Sequence, residues 1–87
     1  MLNQLILVGK ITAIVKNKKD TDNNVVHISI DGKEAIPIKF SQSLFEPIET
    51  YVRVGYVVGM KGKLEMSDGH VVVQGEKVTF LNKSMED

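Results

Sequence analysis

The sequence has no cysteine, no tryptophan, only two prolines and no net charge, with 11 Lys and Arg set against 11 Asp and Glu in 87 residues. Without cysteine there is no disulfide staple and no hint of an oxidising compartment. Charge balance removes the whole-chain electrostatic argument for a polyanionic partner, so any basic surface must be local. No apolar run approaches the roughly 20 residues needed to span a bilayer. The start, Met1-Leu2-Asn3-Gln4, lacks the basic segment of a secretory signal, which makes the cytoplasm the expected location and a membrane partner unexpected. Hydrophobic residues reach 43%, too many for a disordered chain. The expectation is one small soluble domain over residues 1–82 with a short polar tail at 83–87. A domain of this size buries little more than half of its unfolded surface, so association with further copies is an expected source of stability.

Period-two spacing dominates. Leu5, Leu7, Gly9 and Ile11 alternate with Gln4, Ile6, Val8 and Lys10, predicting a long first strand whose second face is also apolar at Ile6 and Val8. Lys16 to Asn24 reads as a polar turn, and Val25 to Ile30 as a second strand with Val26, Ile28 and Ile30 inward. Asp31-Gly32 predicts a hairpin, followed by a third strand of Ile36, Ile38 and Phe40 in which Pro37 implies an edge or a bulge. From Ser41 to Val54 the period lengthens. Leu44, Ile48 and Val52 predict a helix, with Ser43 and Glu46 as a capping box, Pro47 in or near its first turn and Gly55 as its stop. Val57 to Glu65 predicts a fourth strand with Val58, Met60, Gly62 and Leu64 inward. Ser67-Asp68-Gly69 is a turn, and His70 to Leu81 a fifth strand with a bulge at Gly75. Five strands with one helix between the third and fourth is the order of an OB-fold, an all-β barrel; an SH3-like barrel has no use for a helix there.

Residues Met1 to Ile11 resemble the opening strand of the bacterial single-stranded DNA-binding protein family. Leu44 to Leu64, including Tyr51-Val52-Arg53-Val54-Gly55 and Gly62-Lys63-Leu64, is similar to that family's helix and fourth strand, and Val78-Thr79-Phe80-Leu81 to its closing strand. The resemblance implies an OB-fold that pairs first strands into homodimers or homotetramers and wraps single strands on basic and aromatic side chains. There are departures. The family's stacking positions on the third strand fall near Ala35 and Ser41, the hairpin after the fourth strand is short, and no long acidic tail follows Leu81. These departures imply weaker DNA binding and less recruitment of replication or recombination proteins.

The candidate nucleic-acid-binding residues are Lys10 and Thr12 on the first strand, Lys16, Lys18 and Lys19 in the first loop, and Lys39 on the third strand. Tyr56, Lys61 and Lys63 complete the set, with Gly59 allowing close approach beside Lys61. The plain alternative for the lysines is a solvated sheet face, and Asp20 and Asp22 dilute those in the loop. Gln4, Ile6 and Val8 are the candidate oligomer contacts. Among the aromatics, Phe40 and Phe80 are expected in the core and Tyr51 in packing; Phe45 and Tyr56 are the two that could reach a base, with burial or a subunit contact the favoured alternative, more so for Phe45. His27 and His70 lack metal-ligand spacing, and Asp20 to Asn24 departs from a calcium loop at Val25 and Asp31, so no metal or cofactor is expected. No nucleophile motif or phosphate loop is present, so no enzyme is expected. The expected function is sequence-nonspecific binding of single-stranded DNA in replication, recombination or repair, in a bacterium, a phage or a mobile element. The alternative is an OB-fold protein-interaction module resembling primosomal accessory proteins.

Overall fold

The computed structural model describes residues 3–82. Its elements are β1 (Leu5–Val15), β2 (Asn24–Ser29), β3 (Ala35–Phe40), α1 (Gln42–Tyr51), β4 (Val57–Ser67) and β5 (His70–Asn82). The strands close into a barrel in the order β1-β2-β3-β5-β4, with one helix between β3 and β4: an OB-fold. The expected tail at 83–87 lies outside the described residues, as do Met1 and Leu2.

One strand serves two neighbours. β1 pairs antiparallel with β4 from Leu5 to Lys10 and with β2 from Lys10 to Val15, and its register slips between Ile11 and Ala13. The extra residue, Thr12, bends β1 from one partner to the next. Closure is short: β3 meets β5 in parallel only at Ile38 opposite Val73 and Lys39 opposite Gln74. Pro37, which cannot donate to a ladder, sits just before that closure, on a stretch of β3 that is paired with β2 alone.

Alternation sends Ile11, Val26, Ile28, Ile38, Phe40, Val58 and Met60 into the barrel, and α1 adds Phe45, Ile48 and Val52. Phe40 is fully enclosed because it lies against Gly75; a Cβ built there would overlap its ring. The bulge expected at Gly75 falls one residue later, since Gly62 pairs with Gly75 and Lys61 with Lys77, leaving Glu76 as the extra residue.

Several expectations are corrected by position in the barrel. Ile30 leaves β2 and is 56% exposed, because the strand ends at Ser29. Leu64 is exposed although its spacing is inward. The last β1–β4 pair is Leu5 with Gly62, so beyond it the β4–β5 hairpin has no layer beneath it. Phe80 is 46% exposed near the end of β5. The helix is shorter than its apolar spacing: it ends at Tyr51 with Val52 as C-cap, and Gly55, at φ +100°, instead turns the chain after it. No capping box forms. Ser41 is the N-cap without a side-chain bond, and the first helical N–H, that of Gln42, donates to the Asp22 carboxylate from the first loop at 3.1 Å. Pro47 is inside the helix, where it removes the N–H that would reach the carbonyl of Ser43.

The loops are held by side chains. Asn24 is buried, accepts from the Asn17 N–H at 2.9 Å and donates to the carbonyls of Thr21 and Phe40 at 2.6 and 3.3 Å, which ties the first loop to β3. In the β2–β3 turn the Asp31 carboxylate accepts from the N–H groups of Lys33 at 2.8 Å and Glu34 at 3.1 Å. These bonds hold it below the ordinary carboxylate pKa. The β4–β5 turn has positive φ at both Asp68 and Gly69, a type I′ hairpin.

Two measurements check this account. Gly75→Ala should destabilise the domain by about 1–3 kcal/mol in urea unfolding, and Phe40→Leu on top of it should restore part of the loss. The stability contributed by Asp31 should be complete above the ordinary carboxylate pKa of about 3.9 and be lost as pH falls through the lowered folded value. Urea midpoints should therefore drop more on acidification for the wild type than for Asp31→Asn.

Candidate nucleic-acid interface

Since Val26, Ile28, Ile38 and Phe40 point inward, their neighbours along β2 and β3 point outward and line up with β1 and β5. Three rows result. The first runs Val15, Val25, Lys39, Gln74, Lys63 across all five strands. The second is Ala13, His27, Pro37, beside which the Thr12 hydroxyl donates to the His27 carbonyl at 3.3 Å. The third is Lys10, Ser29, Ala35. This outer sheet face gathers Lys10, Thr12 and Lys39, which lie far apart in the chain, and flanks them with the first loop and its Lys16, Lys18 and Lys19.

Sequence reasoning missed His27, Val25, Pro37 and Gln74 as members of the face. Their outward direction was legible from the period of two, but their juxtaposition depends on which strands pair.

The lysines are not equivalent. Lys63 Nζ lies 3.6 Å from Glu65 and 3.9 Å from Glu76, and Lys16 Nζ lies 3.9 Å from Glu49. Among the described residues no carboxylate comes within 4.0 Å of Lys10, Lys18, Lys19, Lys39 or Lys61. The positive charge free to meet a phosphate therefore sits on Lys10, Lys39 and the tip of the first loop, whereas Lys63 is already matched by acid.

Lys61 belongs to a different surface. It pairs with Ile6 on one side and Lys77 on the other, and the next row is Val8, Gly59, Thr79. With Leu81, these side chains line a groove of about 330 Å³. Ile6 is 74% exposed and Val8 56%, as their spacing predicts. Along this stretch β1 has β4 on one side only, because pairing with β2 begins at Lys10, so the edge from Leu5 to Gly9 is open. Gln4 precedes the strand and is exposed. The expected DNA contact Lys61 and the expected subunit contacts Ile6 and Val8 thus share one face.

The aromatic side chains do not supply platforms on the three-row face. Phe40 and Phe45 are buried, and Tyr56 is half-buried against the core, since its position two before the inward Val58 turns it into the barrel end. Phe45, which could have reached a base, packs beneath the barrel, in keeping with the burial favoured for it. Tyr51, expected in packing, is exposed at the end of α1. What the face offers is a moderately basic surface of small and aliphatic side chains, suited to backbone phosphates and to weak, unselective contact with bases.

Comparison with protein-family models and with curated proteins gave no match. Solved structures do match in fold. The mitochondrial single-stranded DNA-binding protein Rim1 of S. cerevisiae superposes with a TM-score of 0.77 at 14% identity, covering 97% of this chain and 98% of that one. A replication protein A heterotrimer bound to single-stranded DNA matches at 0.67 and 17% identity over 98% of this chain and 62% of that one. An OBody bound to hen egg-white lysozyme matches at 0.76 and 21% identity, over 95% and 98%. At these identities the likeness establishes the OB-fold of this chain.

Proposed function

We propose that this chain binds single-stranded DNA with little sequence preference and performs no reaction. The observation that carries the reading is the three-row outer face, on which Lys10 and Lys39 stand free of acidic partners beside a lysine-rich loop. Two of the fold neighbours are described as binding or bound to single-stranded DNA, which supports the same reading. The resemblance of β1, α1 and β4 to the bacterial single-stranded DNA-binding family supports a role in DNA replication, recombination or repair, in the bacterial cytoplasm or on a phage or mobile element.

The chain also pairs with a second copy along the open edge of β1. Antiparallel pairing of Leu5 to Gly9 about a two-fold axis satisfies the edge and covers Ile6 and Val8, and it places two binding faces on one particle. Lys61 then serves the rim of that contact rather than the DNA. A second reading, a protein-interaction module, is favoured by the absence of an aromatic on the face and by a neighbour that binds lysozyme.

Titration with oligo-dT at several salt concentrations separates the two readings. If phosphates carry binding, log K should fall with log salt by about 0.7 per contact. Lys10→Ala with Lys39→Ala should lower that slope by about one to two contacts, and Lys63→Ala should change it little, because Lys63 already faces two carboxylates. A flat salt response overturns the reading in favour of the protein module. For assembly, light scattering should show a dimer or larger at micromolar concentration and a monomer for Ile6→Glu with Val8→Lys. A monomeric wild type refutes strand-one pairing.

A further inference from the structure

The third row of the outer face ends in a recess of about 490 Å³ between β1 and the β2–β3 turn, with Lys10, Ser29, Ile30, Lys33, Ala35 and Val57 on its walls. It exists because the row holds small residues at Ser29 and Ala35 while the turn after Ser29 stands away from β1. We infer that this recess seats one nucleobase of a bound single strand, with the flanking phosphates on Lys10 and Lys33. The inference rests on the single-stranded DNA reading and names how that face holds a base without an aromatic platform.

Four features point to this occupant. The first is an apolar wall with no structural use: Ile30 is 56% exposed, outside β2, and faces the recess with Val57. The second is charge. Lys10 and Lys33 line the recess with Glu34 as the one carboxylate on its walls, while the Asp31 carboxylate, still ionised, is turned away from them onto the N–H groups of Lys33 and Glu34 in its own turn. Two cations beside an apolar hollow match a base carried on a phosphate chain better than an uncharged side chain of a protein. The third is order. Asp31 fixes the turn, and Ser29 Oγ accepts from the Gly32 N–H at 2.9 Å, so the walls stand in place before a ligand arrives. The fourth is polarity. The two hydroxyls at the recess are spent internally, Ser29 on the turn and Thr12 on the His27 carbonyl, which leaves little with which to tell one base from another. That indifference suits a nonspecific binder. A strand crossing the His27 and Pro37 row reaches it directly, since Lys10, Ser29 and Ala35 form the adjacent row of the same face.

The test uses the full chain, oligo-dT, and an oligo-dT of the same length carrying abasic sites. Ala35→Leu fills the recess from an exposed position, and Ile30→Ser removes its apolar wall without touching the core. Each should weaken oligo-dT binding roughly tenfold, the order of one base contact, with the salt slope unchanged. Lys33→Ala should lower the slope by about 0.7. The abasic oligonucleotide should bind the wild type less tightly, and Ala35→Leu should weaken it no further. Wild-type affinity in both Ala35→Leu and Ile30→Ser overturns the inference while leaving the DNA reading intact. A wild type that ignores oligo-dT overturns both. Variants whose light scattering changes in place of their DNA affinity assign the recess to a subunit contact, which also overturns the inference.

Discussion

Closure of the barrel depends above all on one contact, the ring of Phe40 laid over Gly75. β3 and β5 run parallel and share only two residue pairs, Ile38 with Val73 and Lys39 with Gln74. Parallel ladders are slightly weaker per residue than antiparallel ones, and two pairs alone would not hold a seam. What holds it is that β5 has no side chain where β3 brings its largest one, so the two backbones come together around a ring that is wholly enclosed. Gln74 reinforces the seam by donating to the Lys39 carbonyl at 3.3 Å.

The outer surface inherits its division from β1. Its first half belongs to β4 and its second to β2, with the hand-over at Lys10 and the Thr12 bulge just beyond it. The second half contributes Val15, Ala13 and Thr12 to the outward face that runs through β2 and β3, and the first half contributes Ile6 and Val8 to the outward face shared with β4. Because the hand-over comes at Lys10, that lysine stands at the border and points its charge toward the recess below the β2–β3 turn. One strand thus supplies a basic stretch and an apolar stretch that meet at Lys10, which pairs with Ser29 on one side and Val57 on the other.

A neutral chain gains a basic face through the placement of its acids. Glu65 and Glu76 sit beside Lys63, Glu49 beside Lys16, Asp22 at the start of α1, and Asp31 inside its own turn. Exposed ion pairs of this kind contribute little to stability, but they settle which lysines remain uncompensated. Lys10 and Lys39 remain so. The composition is balanced while the local field is not, and a polyanion responds to the local field.

How much of this was legible depends on the range of the interaction. Period-two spacing placed Ile11, Val26, Ile28, Ile38, Phe40, Val58 and Met60 in the core, and the insertion of one helix after the third strand specified the OB-fold, because these signals are local. Ile30, Leu64 and Phe80 kept the inward spacing and are nevertheless exposed. A strand's own pattern says which face is inward, but only its neighbours say where the layer beneath it ends. Asn24, read as turn material, is a buried clamp because its partners at Asn17, Thr21 and Phe40 come from both sides of the loop. Lys61 and Lys63 stand two residues apart on one strand, yet pairing sets the first beside Ile6, while the second lies between Glu65 of its own strand and Glu76 of the next. The sequence by itself determined the alternation, the turns and the helix, whose causes lie within a few residues. Tertiary structure alone decided which lysines are free, which hydrophobics are exposed and which residues share a face, because pairing order and ion-pair distances are set by contacts between segments far apart in the chain.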